Sequence, residues 1–317
     1  MDIALVGSKL LLPLCRLLLV MCVGLLLAGL LESLHWTRFV ARLASPLARL
    51  GHLRETAAAS FALAFFSPAA ANALLAEAHA RGEMSRREMV FANLFNSSPT
   101  YLVHLPTLFS MVFAFLGTRA FVYVGLTFVA AALRTLFTIV AGRFLLPPPP
   151  EEKGVSRQEQ ESKEMRDVVR TVWRRFKKRI GKLLAYTIPV YCLFFVLQQA
   201  GLFSAAETWL AERAGWFSFL NPHSLGIIAM YLVAESGAAF SAAAALANQG
   251  ALAPQEVIMA LLVGNIISTP MRALRHQFPS YAGYFSPSLA GLLVVMNQIC
   301  RAVTLIAVAM VYYWWAF

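Results

Sequence analysis

The sequence predicts an all-α polytopic membrane protein made of two inverted-topology repeats. Three observations lead to this fold class. Of the 317 residues, 59% are hydrophobic and 14% are charged, whereas soluble domains carry about 25% charged residues. Long apolar stretches recur along the chain, as in proteins with several membrane helices. A pattern of polar helix breaks recurs after about 170 residues.

The recurring pattern is a short polar break inside an otherwise apolar segment. The breaks consist of Asn93, Asn96, Ser97, Ser98, Pro99 and His104 in the first half, and of Asn265, Ser268, Thr269, Pro270 and His276 in the second. Further pairs at similar spacing are Trp36 with Trp209, Glu88 with Glu256, and Arg134 with Arg301. Matched helix breaks in two halves of a hydrophobic chain point to a transporter binding site.

The first half, residues 1–146, contains five segments. Residues 10–31 are long enough to span a membrane and show no cleavable signal pattern. Residues 36–50 carry arginines on roughly one face and apolar side chains on the rest, which predicts a helix lying in the membrane interface. The remaining segments are 56–80, interrupted at Ser67-Pro68, then 86–116 with the first break, and 120–146, an uninterrupted spanning helix.

Residues 147–182 form a predicted charged linker. Four prolines at 147–150 stop the preceding helix, and residues 151–168 almost lack large apolar side chains. Seven Lys or Arg residues then fall between Arg170 and Lys182, next to a helix that starts near Leu183. A basic cluster beside a membrane helix marks the cytoplasmic side and contacts anionic lipid, so we expect a cytoplasmic linker and no nucleic-acid partner.

The second half, residues 183–317, repeats the order of the first. Residues 183–202 span, and residues 204–217 form a short segment. The last three segments are 223–248, interrupted at Glu235-Ser236-Gly237, then 255–285 with the second break, and 288–315, which ends in an aromatic belt.

Basic residues predict opposite orientations for the two halves. The loop after 10–31 carries several arginines, whereas its equivalent after 183–202 carries Glu207, Glu212 and one arginine. Three arginines lie at positions 81–87, but the equivalent residues 249–254 have no Lys or Arg. We therefore expect six crossings, with 56–80 and 223–248 as re-entrant hairpins entering from opposite faces. Full spanning helices are the alternative for these two segments.

The breaks supply the candidate binding residues. Proline removes a backbone donor and frees nearby carbonyls. Neighbouring hydroxyl and amide side chains can hydrogen-bond to these carbonyls or bind a solute. The alternative is a proline kink whose hydroxyls bond back to their own helix. The predicted substrate-binding residues are Asn93, Asn96, Ser97, Ser98, Glu235, Ser236, Asn265, Ser268 and Thr269, and the predicted helix-break residues are Ser67, Pro68, Pro99, Gly237 and Pro270.

Charged residues within the apolar segments extend this candidate site. Glu235 is an acid deep in the second hairpin, and Arg272 is its candidate partner in the binding site. The alternative is that the two residues form a purely structural ion pair. His104 and His276 are candidate ion or proton partners, or interfacial caps. Arg134 and Arg301 lie inside long helices and should face the protein interior. No metal site, cofactor motif or catalytic constellation emerges, so we expect no enzyme.

The pattern resembles a known family. Ala28-Gly29-Leu30 before an amphipathic helix, Glu235-Ser236-Gly237 in a hairpin, and an Asn265…Ser268-Thr269-Pro270 helix resemble the Gate, or nucleoside-recognition, domain. This domain occurs in the membrane region of ferrous-iron transporter B, in spore maturation proteins A and B, and in concentrative nucleoside transporters. The resemblance implies a permease-like core of two Gate units in the cell inner membrane. We expect departures from both transporters, because these 317 residues contain no phosphate-loop motif of a GTP-binding domain and are fewer than the usual nucleoside transporter has.

These observations predict a transporter that moves a small polar or ionic solute through a site formed by the two breaks. The alternative is a non-transporting membrane scaffold or regulator, as the resemblance to spore maturation proteins permits. The expected partners are the lipid bilayer and the solute, with a homodimer or a membrane or soluble partner protein left open. The sequence does not fix the substrate or a coupling ion.

Overall fold

A computed structural model describes residues 44–149, 220–233 and 236–317, together with isolated positions within 11–26 and 169–196. Predictions about Glu235, the linker after residue 149, the start of the interfacial helix and most of the segments 10–31, 183–202 and 204–217 lie outside the described residues. Within the described ranges the regular structure is helical and contains no strand. The all-α prediction is confirmed for this part of the chain.

Residues 44–50 are helical, and eleven α-helices follow in the continuous ranges. In chain order these are α1 Glu55–Ala64, α2 Pro68–Ala80, α3 Arg86–Phe95, α4 Ser97–Leu116, α5 Arg119–Leu145, α6 Ser224–Val233, α7 Ser236–Asn248, α8 Pro254–Ile267, α9 Thr269–Arg272, α10 Phe278–Tyr284 and α11 Pro287–Ala316. A π-helical turn, Ala273–Gln277, connects α9 to α10.

Three helices are long and apolar enough to cross a membrane: Arg86–Leu116, which joins α3 to α4, Arg119–Leu145 and Pro287–Ala316. A fourth candidate is the pair Pro254–Ile267 and Thr269–Tyr284, which is bent by 49°. These spans coincide with the predicted segments 86–116, 120–146, 288–315 and 255–285. The chain is therefore a membrane protein with several spanning helices.

The helices shorter than a membrane also recur in both halves. Helices α1 and α6 have 10 residues each, and α2 and α7 have 13 each. At about 1.5 Å per residue, these helices measure roughly 15 and 20 Å, well below the roughly 30 Å of a bilayer core. Residues 65–67 separate α1 from α2, whereas α6 ends at Val233 and α7 begins at Ser236.

Local side chains explain where several helices begin. Ser67 caps α2, its Oγ accepting from the amide of Ala70 at 3.1 Å. At the start of α3, Ser85 and Glu88 form a capping box, and the Arg54 Nε donates to Glu88 at 2.6 Å. At the start of α8, Glu256 accepts from the amide of Ala253 at 2.7 Å. Matched glutamates thus fix matched helix starts.

The chain forms two compact units, each of which takes segments from both halves of the sequence. The first unit covers Met1–Val103, Arg134–Cys192 and Phe278–Met296. Among its described helices, α1, α2 and α3 pack on one another, and α10 packs on α2.

The second unit covers His104–Leu133, Leu193–Gln277 and Asn297–Phe317. Helices α6, α7 and α8 pack on one another, which is the same set of pairings as among α1, α2 and α3. Their core includes the fully buried side chains of Tyr123, Ile227, Phe240 and Leu261.

Candidate functional site

The first break separates α3 from α4 at Asn96, whose φ is −70° and ψ is 5°. The Ser97 hydroxyl bonds back to the carbonyl of Leu94 at 2.5 Å. Pro99 is buried as the third residue of α4, where a helix needs no backbone donor. The proline therefore starts a new helix without a large change of direction, and Arg86–Leu116 passes as one span.

A group of buried and half-buried polar side chains surrounds this break, and we call it the first-break cluster. Its members come from α1, α2, α3, α4, α5 and α10, or lie between them, and are Ser60, Asn72, Asn93, Asn96, Ser98, Thr135 and Tyr281. All seven side chains are uncharged. The cluster lies within the first unit.

Asn93 is the centre of one part of the first-break cluster. Its amide nitrogen donates to Asn72 Oδ1 at 3.1 Å, and the Tyr281 hydroxyl donates to its Oδ1 at 3.2 Å. The side chain of Asn93 is therefore held by two helices, α2 and α10, that are far apart in sequence.

Asn96 and Ser98 form the other part. Asn96 Nδ2 donates to Ser60 Oγ at 2.7 Å, whereas Asn96 Oδ1 is buried with no hydrogen-bond partner among the described residues. The Ser98 hydroxyl lies 2.8 Å from Thr135 Oγ1, and the Ser98 amide also donates to that oxygen at 3.2 Å. A buried acceptor without a partner is costly in an apolar interior, so this oxygen is a candidate contact for a donor on a solute.

The second break is more pronounced than the first. Helix α8 ends at Ile267, and Ser268 follows with φ −74° and ψ −9°. The four-residue helix α9 and the π-helical turn come next, and the chain bends by 49°. Single π-helical turns are frequent at functional sites.

The backbone carbonyl of Asn265 accepts three side-chain hydrogen bonds at this break. The donors are the hydroxyls of Ser268 at 3.2 Å and Thr269 at 2.8 Å, and Nη2 of Arg272 at 3.0 Å. In this structure the hydroxyls bond back to the helix, as the alternative interpretation of the break supposed. The Arg272 guanidinium donates to the same carbonyl, a bond that the alternative interpretation did not include.

A second polar group, which we call the second-break cluster, is centred on the Asn265 side chain and lies within the second unit. Its members are Tyr123, Tyr231, Asn265, Ser268, Thr269, Arg272 and Arg301. All except the two arginines are buried.

Hydrogen bonds link this cluster from end to end. The hydroxyls of Tyr123 and Tyr231 are 2.7 Å apart, and Asn265 Nδ2 donates to Tyr123 at 3.0 Å. Asn265 Oδ1 accepts from Nη2 of Arg272 at 2.5 Å and from Nη2 of Arg301 at 3.0 Å. The Arg272 guanidinium also lies 5.7 Å from the centre of the Tyr231 ring. Two guanidinium groups thus converge on one neutral oxygen.

The second-break cluster is cationic as far as the structure describes it. Among the described residues of the second unit, the acidic side chain is Glu256, which bonds to Asn221 and to the amide of Ala253. Glu256 precedes Asn265 on α8 by nine positions, roughly 13 Å along the helix. It therefore belongs to the start of the helix and not to the cluster.

The structure brings most predicted binding residues into one of the two clusters. Asn93, Asn96 and Ser98 join the first, and Ser97, which bonds back to its helix, lies beside it. The second contains the predicted residues Asn265, Ser268, Thr269 and Arg272.

The remaining predicted residues lie elsewhere. Ser236 and Gly237 are half-buried at the start of α7, next to the undescribed Glu235. Pro270 is exposed and is the second residue of α9. Both Pro270 and the buried Pro99 thus lie in the first turn of a helix. The side chains of His104 and His276 are exposed, outside both clusters. Within the described ranges, no three His, Cys, Asp or Glu side chains gather as metal ligands would.

Six cluster members were not predicted from the sequence: Ser60, Asn72, Tyr123, Thr135, Tyr231 and Tyr281. They share one signal, an amide or hydroxyl side chain within a largely apolar helix. Such side chains need a hydrogen-bond partner when buried. Arg301 was expected to face the interior, and its bond to Asn265 agrees with that expectation.

Comparisons match most of this chain to other proteins but assign no activity to it. Three proteins of the archaeon Methanocaldococcus jannaschii are similar. The uncharacterized protein MJ0871 is 26% identical, over 84% of this chain and 82% of its own. The uncharacterized protein MJ1556 is 24% identical, over 83% of each. The uncharacterized protein MJ0880 is 20% identical, over 86% of this chain and 88% of its own. No protein-family model matches the chain, and no solved structure matches it.

Proposed function

We propose that this protein is a membrane transporter that binds a small polar or ionic solute at the polar clusters of its two helix breaks. The observation that carries the proposal is the concentration of buried amide and hydroxyl groups at two matched breaks within spanning helices, joined at the second break by two half-buried guanidinium groups. Polar side chains at membrane depth are costly and are usually retained for function. Irregular backbone at that depth is tolerated where it lines protein or water.

We propose further that the chain consists of two inverted repeats with six crossings and two re-entrant hairpins. Matched helices of equal length, α1 with α6 and α2 with α7, support the repeat. The short lengths of these helices support two hairpins, one formed by α1 and α2 and the other by α6 and α7, because none of the four helices could cross a bilayer by itself. The arginines at positions 81–87, missing from 249–254, support the inversion.

The two halves of the sequence also depend on each other at the breaks. Asn93 in the first half bonds to Tyr281 in the second, and Asn265 in the second bonds to Tyr123 in the first. Each break asparagine is therefore held by a tyrosine from the opposite half. In a transporter, such bonds would tie a movement at one break to the rest of the chain.

Water access to the breaks distinguishes a transporter from a scaffold, and it can be measured before the solute is known. In a variant whose four native cysteines are replaced by alanine, Ser98→Cys and Thr269→Cys should react with a charged, membrane-impermeant thiol reagent in liposomes. Val303→Cys is the control, because Val303 is exposed on the spanning helix α11 two positions from Arg301 and should stay unreactive in lipid. If neither break position reacts, the breaks are dry and the scaffold alternative is favoured.

A sidedness experiment tests the inversion. Glu83 and Gln249 are exposed residues after α2 and α7, the second helices of the two pairs. In oriented vesicles, Glu83→Cys and Gln249→Cys should be labelled from opposite faces. Labelling from the same face would contradict inverted repeats.

Once a solute is identified by thermal stabilisation of the purified protein, the double variant Ser98→Ala with Thr269→Ala should lose its uptake into proteoliposomes. Unchanged uptake would contradict a binding role for the break hydroxyls.

A further inference from the structure

We propose that the second-break cluster is an oxyanion site, which takes a carboxylate, phosphate or sulfate group between Arg272 and Arg301. This inference rests on the proposed transport function, because it names the chemical class of solute for one of the two clusters. It follows from the charge, depth and geometry of the two arginines.

Depth is the first argument. Arg301 is the fifteenth of the thirty residues of α11, so it lies at the middle of a spanning helix. Arg272 lies between α8 and α10, at the end of the short helix after the break. A guanidinium group near the bilayer centre is costly unless an anion or several acceptors neutralise its charge.

The charges of the surrounding chain are the second argument. The second half of the sequence has four acidic residues: Glu207, Glu212, Glu235 and Glu256. Glu256 is engaged at the start of α8. Glu207 and Glu212 belong to the short segment 204–217, which the sequence predicts to be an external loop. Within the apolar segments of this half, Glu235 is then one carboxylate for the two arginines of the cluster.

Geometry is the third argument. Nη2 of Arg272 and Nη2 of Arg301 both lie within hydrogen-bond distance of Asn265 Oδ1, so the two groups converge on one point. Nε of Arg272 is buried and has no hydrogen-bond partner among the described residues. Guanidinium carries a planar fork of donors that fits the two oxygens of a carboxylate or phosphate. The unused Arg272 donor is therefore available to a second oxygen of the same anion.

The aromatic side chains complete the proposed site. The Arg272 guanidinium lies over the Tyr231 ring, which holds its plane in place. Gly264 allows this arrangement, because a Cβ at position 264 would lie 2.6 Å from Tyr231 Cδ2. The hydroxyl pair of Tyr123 and Tyr231 adds a donor beside Asn265. These contacts fix the orientation of Arg272 and Asn265 before any anion binds.

The test measures oxyanion binding to the purified full-length protein in detergent. Sodium acetate, succinate, phosphate and sulfate, each up to 50 mM, are compared with sodium chloride at the same ionic strength, and the apparent unfolding temperature is recorded. At least one oxyanion should raise that temperature beyond chloride in a saturable manner. Failure of all four to do so overturns the proposal. The magnitudes for different oxyanions distinguish a planar carboxylate from a tetrahedral phosphate or sulfate.

Variants locate the binding. Arg272→Gln and Arg301→Gln should each weaken oxyanion affinity roughly tenfold or more, as expected for loss of a charge-assisted bond. Arg272→Lys, which keeps the charge but loses the fork, should weaken it less and guards against a variant that fails to fold. Arg134→Gln is the matched control at the equivalent position of the first half and should bind as the parent does. Equal binding by parent and both glutamine variants overturns the site.

Flux separates this inference from the proposed function. If the protein binds the oxyanion through Arg272 and Arg301 but proteoliposomes show no flux of that anion, the oxyanion site is supported and its transport is contradicted. If flux occurs and is unaffected by the two glutamine variants, transport stands and the oxyanion site is wrong.

Discussion

The two break clusters share a sequence pattern but differ in charge and in backbone geometry. In each, an asparagine precedes a Ser/Thr-Pro sequence, and a tyrosine from the other half of the chain bonds to that asparagine. The seven members of the first-break cluster are uncharged, whereas the second contains two arginines. The second break also bends its helix by 49°. Two breaks with a similar sequence pattern thus carry side chains of different charge.

The largest expected difference concerns the two asparagines. Asn265→Ala removes the acceptor shared by two guanidinium groups, and we expect a loss of about 3 kcal/mol in unfolding free energy. Asn93→Ala breaks bonds to the neutral Asn72 and Tyr281, and should cost about 1–2 kcal/mol. Denaturant unfolding in mild detergent, followed by circular dichroism, measures both. Asn248→Ala, at the exposed end of α7, is the control. Equal losses at the two breaks would show that charge adds nothing.

Two glycines give the next largest effect. A Cβ at Gly142 would lie 2.5 Å from the backbone oxygen of Gly51, which cannot move aside easily. A Cβ at Gly264 would meet the ring of Tyr231. Gly142→Ala should lower unfolding free energy by about 2 kcal/mol, and Gly264→Ala by about 1–2 kcal/mol through displacement of the ring.

Gly226→Ala is the matched control for these two glycines. Among the residues that the structure describes, none lies within 4 Å of a Cβ at Gly226, and alanine in a helix is favoured by about 0.5–1 kcal/mol over glycine. The Gly226 variant should therefore be neutral or slightly stabilised in the same unfolding experiment. Equal effects at all three glycines would show that close packing at Gly51 and Tyr231 is unimportant.

The two tyrosines should differ less. Tyr123→Phe removes bonds to both Tyr231 and Asn265, whereas Tyr281→Phe removes one bond to Asn93. We expect losses of about 2 and about 1 kcal/mol respectively. The same unfolding measurement applies, and the double variant should lose the sum, since the two tyrosines bond to different asparagines. A larger loss for Tyr281→Phe would reverse the ranking of the clusters.

The smallest expected effect compares two threonines. The Thr135 hydroxyl bonds across to Ser98, whereas the Thr304 hydroxyl bonds back to Cys300 and Arg301 of its own helix. Thr135→Val should cost about 1 kcal/mol, and Thr304→Val less than about 0.5 kcal/mol, because the carbonyls it leaves keep their helical bonds. Thermal unfolding in detergent resolves the difference. Indistinguishable midpoints would mean that the Ser98 bond is replaced by water.

Much of the fold could be predicted because its causes are local. Apolar runs of spanning length gave the segments 86–116, 120–146 and 288–315, and the structure has helices there. The interruptions at Ser67-Pro68 and at Ser268-Thr269-Pro270 also occur where proline and hydroxyl residues stand together. About half of each candidate cluster could be predicted for the same reason, since Asn93, Asn96 and Ser98, like Asn265, Ser268 and Thr269, are neighbours in sequence.

Composition and local sequence pattern are sufficient to predict a helical membrane protein with recurring breaks. The tertiary structure sets which side chains meet at those breaks. Tyr123 and Asn265 are 142 positions apart, and Asn93 and Tyr281 are 188 apart. It also decided that each compact unit takes segments from both halves. The physical reason is that helix formation depends on neighbouring residues, whereas a buried polar group takes whichever partner long-range packing brings within hydrogen-bond distance.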